Sequence, residues 1–544
     1  MGEEGGTLGF RGREWVLKVG AWSGGRVTPI VCEMMQVVWF KRDLRTQDHE
    51  PLVRAAACGE VLPIYIVEPS VLGAADSGGR HWEWNRRSLI ELRRSLGELG
   101  LPLVVRVGEV VELLRRLHGR HGIGAIWSHE ETGNGVTFAR DVAVGRWCRE
   151  AGVRWTEVAQ FGVVRRLGSR TGWAGRWERF MASEVVAAPV GARGFEGIDP
   201  GAIPTGEELG LPRDDCRIEQ TPGECAGLNT LSSFLNVRGE DYGRRISSPL
   251  SAATGGSRMS AYLAWGNVSM RTVLQATRSR VAGLGGEGAE RQWRRSLRSF
   301  ESRLHWHCHF IQKLESDPRI ENENFVRAFD TLRPAELDRV RFDAWRTGRT
   351  GYPMIDAVMR CLQGTGWINF RMRSMVVSFS GYHLWQHWKE PALHLARMFI
   401  DYEPGIHYSQ MQMQSGTTGI NTLRIYSPTK QAIDQDPKGV FIRRWVPELA
   451  GVPDGFIHEP VRMPMGVQRE AGCVIGRDYP VPIVDHLEAV RAAKERFTVF
   501  RGLDATREQA RAVNEKHGSR KSGLRQVGVR RVRKRADDSP QLFE

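Results

Sequence analysis

No C-x-x-C pair occurs among the eight cysteines of this 544-residue chain. Cys32, Cys58, Cys148, Cys216, Cys225, Cys308, Cys361 and Cys473 are scattered. Such spacing offers no zinc ribbon, no redox dithiol and no disulfide framework. An iron–sulfur site would have to be assembled from distant positions. No apolar run approaches the roughly 18–20 residues that span a bilayer. Gly20–Cys32 is interrupted by Ser, Gly and Arg, which makes it a poor signal peptide. The expectation is a cytoplasmic protein with no membrane partner. The phosphate-cradling patterns G-x-G-x-x-G and G-x-x-x-x-G-K-[ST] are missing as well, and no internal repeat is present.

What is there is a globular mixture, 41% apolar and 26% charged, long enough for roughly two to four domains. The net charge is +14. Such a surface attracts polyanions through phosphate contacts; a dispersed, Arg-rich composition would give the same number. Eighteen tryptophans can fill cores or stack on bases and carry electrons.

Residues 1–34 read as an unstructured extension. From Gln36–Phe40 the chain alternates apolar runs (Val61–Val67, Leu103–Val107, Ala125–Ser128, Val153–Val158) with helical stripes such as Leu89, Leu92, Leu96 and Leu99. Alternation of this kind predicts a doubly wound α/β domain with a parallel sheet over 35–165. Residues 166–230, Gly-, Pro- and acid-rich from Gly194, read as a connector. Helical periodicity then dominates 231–500, an all-α domain, with Phe300, Leu304, Ile311 and Leu314 on one face. Residues 501–544 read as a basic tail, ending in the cluster Arg530–Arg535. A nucleic-acid arm and a solubilising tail fit that composition equally.

Val37–Arg45 resembles the opening strand and loop of photolyases and cryptochromes. Trp345–Ala357 is similar to that family's W-x-x-G-x-T-G-x-P-x-[IV]-D-A signature. Gly364–Asn369, Arg371–Arg373, Ile425–Pro428 and Asp436–Leu449 follow in the family's order, and Gly256–Leu263 resembles its phosphate loop. The resemblance covers about 36–460 and implies a monomer with an antenna domain and an all-α FAD-binding domain. It implies FAD bound by Tyr242, Gly256, Ser257, Arg258, Met259, Ser260, Arg303, Arg371, Arg373, Asp401, Glu403 and His407. A second, antenna chromophore (folate, deazaflavin or FMN) is also implied. Ser260 taken alone would be a helix N-cap, and Arg373–Asp401 an ordinary buried ion pair.

Several positions depart from the pattern. His407 stands where photolyases commonly place Asn facing flavin N5. Met411 and Met413 replace two tryptophans, one a proximal electron carrier and one packed on the lesion. Arg303 and His307 stand at substrate-side Glu and Arg positions and share a helical face; with His407 they are the catalytic candidates. Phe370 replaces a substrate-side Asn. Trp388 aligns with the middle tryptophan of the electron chain, and Trp385, Trp306 and Trp367 are candidate substitutes. His305 and His309 have a metal-compatible spacing but lack the Glu of H-E-x-x-H, so no metal is expected. The resemblance implies light-driven repair of pyrimidine dimers in UV-damaged DNA, or a cryptochrome-type photoreceptor that signals to a protein partner without repair.

Overall fold

The computed structural model describes residues 8–11, 14–17 and 34–518. Strands covered on both faces read as continuous apolar runs, not as alternation. Such runs, with the more polar and partly exposed edge strand β5, form one parallel sheet: β1 (Met35–Phe40), β2 (Val61–Val67), β3 (Val104–Val107), β4 (Ile123–His129) and β5 (Arg154–Val158). Their order is β3-β2-β1-β4-β5. The winding direction reverses between β1 and β4, the point where α/β sheets open a crevice at their carboxyl edge. Helix α1 (Gly79–Glu98) packs Leu89, Leu92 and Leu96 onto the core.

The all-α domain is built around α2 (Gly288–Ser316), which buries Leu297, Phe300, Leu304, Cys308 and Ile311 along one stripe. Beside it run α3 (Pro353–Thr365), α4 (Phe370–Ser378) and α5 (Pro404–Ser415). Gly405 lets α5 approach α2: a Cβ there would lie 2.5 Å from Ile311 Cα.

Three boundaries differ from the sequence reading. Within the extension, Leu8–Arg11 pairs antiparallel with Glu14–Leu17. The connector holds a helix, Trp173–Ala182, that buries Trp173, Trp177 and Met181, and its Phe195 N–H donates to Val61 O at 2.9 Å. The tail begins with α7 (Asp504–His517), docked after α6 (His486–Gly502). There Gln509 Oε1 accepts from Ala328 N–H at 2.9 Å and Val513 is buried. The Arg530–Arg535 cluster lies outside the described residues.

The loop 41–48, directly after β1, joins the domains. Arg42 Nε donates to Ala264 O at 2.8 Å and Arg45 Nη1 to Gly266 O at 3.0 Å. Gly266 has φ +65°, and a Cβ there would meet Arg42 O at 2.1 Å. Glu224 accepts from the N–H groups of Thr46 (2.8 Å) and Gln47 (2.9 Å). Arg271 Nε and Ser269 Oγ both donate to Asp48, at 3.1 and 2.5 Å.

Candidate flavin site

Helix α4 starts after Asn369, whose side chain does not cap it. Asn369 Nδ2 instead donates to Ile246 O (2.9 Å) and Ser247 O (2.7 Å). Four residues on, Arg373 is fixed on three sides. Its Nε donates to Ile368 O at 2.9 Å, its Nη2 reaches both Asp401 oxygens at 3.0 and 2.8 Å, and its guanidinium lies 4.1 Å from the Phe399 ring centre. Opposite stands Arg258, with φ +60° and its guanidinium 3.8 Å from the Trp367 ring centre. Burial pulls its pKa down, and the charges of Glu219 and Asp401 pull it back up. Two guanidiniums thus flank the Asp401 carboxylate, and such donors suit an anionic ligand group.

Three buried polar atoms here have no protein partner: Arg258 Nη1, Arg371 Nε and Asn369 Oδ1. Groups of this kind are costly unless something bonds to them. Two donors and one acceptor fit a phosphorylated heterocycle of the FAD type. In the loop before Arg258, Arg238 holds the carbonyls of Gly256 and Ser257, the latter at 2.9 Å. Ser257 Oγ accepts from Met259 N–H at 3.5 Å. Ser260 is not an N-cap: it is the first residue of the short helix Ser260–Ala264, and no side-chain cap bond forms there.

Tyr242 is buried, edge-on to Phe234 (5.4 Å) and Phe300 (5.7 Å). Burial raises its pKa and the nearby Arg303 opposes that shift. Arg303 itself is exposed, with its guanidinium 5.8 Å from the ring centre of Phe370, which is 52% exposed. A cation and an aromatic ring therefore lie together on the rim. His307, one turn further along α2, faces inward against Phe161 (5.5 Å). Burial and the charge of Arg42 push its pKa to about 3.

On the opposite wall, Glu403 meets Arg42 at 3.6 Å. Burial pushes its carboxyl up to about 7 and Arg42 opposes that shift. His407 Nε2 donates to Ala392 O at 2.8 Å, which leaves Nδ1 unprotonated in the neutral ring. Burial holds it neutral, at about 4. Trp388 is buried, with ring neighbours His387 (5.5 Å) and Tyr408 (6.4 Å). Trp385 packs against Phe497 on α6, and Trp306 against His309 and Phe310. Arg42, Asn369, Trp367 as an arginine platform, and Arg238 escaped the sequence reading in these roles. Arg42 sits in the Val37–Arg45 motif, but only the folded loop shows that it crosses to the helical domain.

Asp43, His49 and His129 form a tight buried group at the sheet's carboxyl edge. His49 Nδ1 accepts from Leu52 N–H at 3.2 Å, so its Nε2 carries the hydrogen donated to Asp43 at 3.0 Å. His129 Nδ1 donates to the same oxygen at 2.8 Å. These ring atoms are committed to hydrogen bonds. In the adjoining crevice Arg140 pairs with Glu68 (3.2 Å), Glu131 (2.6 Å) and Asp141 (2.9 Å). A second chromophore seated there would have to displace these ion pairs.

Comparison with known proteins matches residues 36–165 to the DNA photolyase family model and residues 300–499 to the FAD binding domain of DNA photolyase. A cryptochrome DASH of Gloeobacter violaceus is 30% identical, over 84% of this chain and 94% of its own. A deoxyribodipyrimidine photo-lyase of Streptomyces griseus is 31% identical, over 86% of this chain and 99% of its own. Among solved structures, a class III photolyase from Agrobacterium tumefaciens superposes with a TM-score of 0.75 at 26% identity, over 88% of this chain and all of that one. A photolyase from Sulfolobus tokodaii, solved with two FAD molecules, gives 0.70 at 25% identity, over 86% of this chain and all of that one. No described helix is long and apolar enough to cross a membrane. With the fold, both family models and the relatives in agreement, the chain belongs to the photolyase/cryptochrome family.

Proposed function

We propose that this protein binds FAD among Tyr242, Arg258, Arg373 and Asp401 and repairs UV-induced pyrimidine dimers in DNA under blue light. The observation that carries the DNA half is the rim, where exposed Phe370 lies beside the Arg303 guanidinium. An exposed ring stacks on a base and a cation takes a phosphate, and the net charge of +14 supports a polyanionic partner.

The chemistry that FAD supplies when bound is absorption of blue light and transfer of one electron. The protein's own groups set the conditions for it. Arg373, paired with Asp401, and Arg258 with its unpartnered Nη1 are donors that would hydrogen-bond an anionic ring or phosphate. His407 is neutral, with an unprotonated Nδ1, so it accepts a hydrogen bond and has no proton to release at neutral pH. Arg303 presents an exposed cation beside Phe370.

A second reading, a photoreceptor without repair, draws on Met411 and Met413, which stand where the family carries tryptophans. The two part in one experiment. Purified protein with reduced FAD is illuminated with oligonucleotides bearing a cyclobutane or a (6-4) dimer. Repair predicts light-dependent loss of one of these lesions. Bound reduced FAD with neither lesion lost overturns repair and favours the photoreceptor.

A further inference from the structure

Helix α5 carries Met411 and Met413 where oxidisable tryptophans would stand, but one turn before Met411 it carries Tyr408. That side chain is fully buried, and its ring is edge-on to Trp388 with centroids 6.4 Å apart. Its hydroxyl donates to Asp76 Oδ2 at 2.9 Å, and the Tyr402 hydroxyl donates to the same oxygen at 2.5 Å. Asp76 Oδ1 accepts from Asn134 Nδ2 at 2.8 Å. Two phenols of the helical domain thus converge on one buried carboxylate of the sheet domain.

The surroundings decide where charge can go. The Trp388 indole N–H donates to Asn324 Oδ1 at 2.8 Å. An amide oxygen is not a base at neutral pH, so Trp388 that has lost an electron stays a cation radical. The Lys389 ammonium lies 4.9 Å from the Tyr408 ring centre. A positive charge there opposes a cationic tyrosyl radical, so an electron leaves Tyr408 only if its proton leaves too. Asp76 is already hydrogen-bonded to that proton. Before oxidation, burial and the Asp76 charge hold the Tyr408 hydroxyl well above the phenol range, so the proton stays on oxygen.

We propose that Tyr408 is the electron donor to oxidised Trp388, with Asp76 as its proton acceptor. The proposal rests on the flavin reading: bound FAD, oxidised and photoexcited, would supply the oxidant that takes the first electron from Trp388. In the step itself, one electron passes from Tyr408 to the Trp388 cation radical and restores the neutral indole. The Tyr408 O–H bond breaks, the proton forms an O–H bond on Asp76 Oδ2, and a neutral phenoxyl radical remains. The charges cancel: a cation and a carboxylate become two neutral groups and a neutral radical. Asn134 and Tyr402 position the carboxylate for this transfer.

The test uses full-length protein loaded with oxidised FAD, followed after a light flash by transient absorption and by electron paramagnetic resonance. The expected course is decay of a tryptophan cation radical into a neutral tyrosyl radical. In Tyr408→Phe the tyrosyl signal is lost and the tryptophan radical outlives that of the parent. In Asp76→Asn the phenol remains but lacks its base, so the tyrosyl yield falls. A tyrosyl signal that persists in Tyr408→Phe overturns the proposal. So does bound FAD that, on illumination, yields no tyrosyl radical in the parent protein. Purified protein that takes up no FAD overturns the flavin reading instead, and the two failures are told apart by the flavin absorbance before the flash.

Discussion

Glu403 shows how far one residue's surroundings set its chemistry. Its carboxyl stands at about 7 against an ordinary 4.5, because burial penalises the ion more than Arg42 at 3.6 Å compensates. A raised pKa means the folded chain holds this proton more tightly than the unfolded chain does. The penalty is therefore absent below about pH 4.5, grows as pH rises, and is complete above about pH 7. Glu403→Gln should leave the thermal midpoint unchanged near pH 4.5 and raise stability above pH 7 by roughly 3 kcal/mol. Melting curves across this range check it; a variant whose advantage does not change with pH contradicts it. The family's pattern singled the position out. The pKa was not legible, because it depends first on burial in the folded chain and then on Arg42, which lies far away along the sequence.

At the scale of elements, legibility followed apolar pattern. All five strands could be read, since runs such as Val61–Val67 are short and rich in β-branched and aromatic residues, which separates them from a buried helix. Helix α7 could not. Its sequence is polar and charged, and its buried side amounts to Thr506, Val513 and His517, too thin a stripe to stand out from a basic tail. The helix Trp173–Ala182 was hidden for another reason: its two buried tryptophans lie among Gly and Arg in a segment read by its composition. Where helices cross, glycine carries the information. Gly405→Ala puts a Cβ 2.5 Å from the Ile311 backbone, so α2 and α5 must separate. Overpacking of this kind costs about 1–3 kcal/mol, and calorimetry should show a lower midpoint together with weaker flavin retention. An unchanged midpoint would mean that the two helices pack with slack.

Across the whole molecule, the loop after β1 works as a clamp. Asp48 is buried and takes hydrogen bonds from Arg271 and Ser269. Arg271→Leu removes the cation that hydrogen-bonds that carboxylate and leaves only Arg45 nearby, a loss of up to about 3–5 kcal/mol for a buried pair. The expected outcome is a lower unfolding midpoint and earlier proteolytic cleavage between the sheet domain and the helical domain. Cleavage at the parent rate would show that the remaining contacts suffice.

Arg42 gives that clamp a second meaning. It belongs to the strand-loop unit of the sheet domain, yet its guanidinium meets Glu403 inside the pocket of the other domain and stacks 4.6 Å from the Trp265 ring centre. The sheet domain and the helical domain are therefore not interchangeable modules. A chimera that borrowed a relative's first domain would import a foreign counter-ion for Glu403, and its pocket would be retuned by the graft alone.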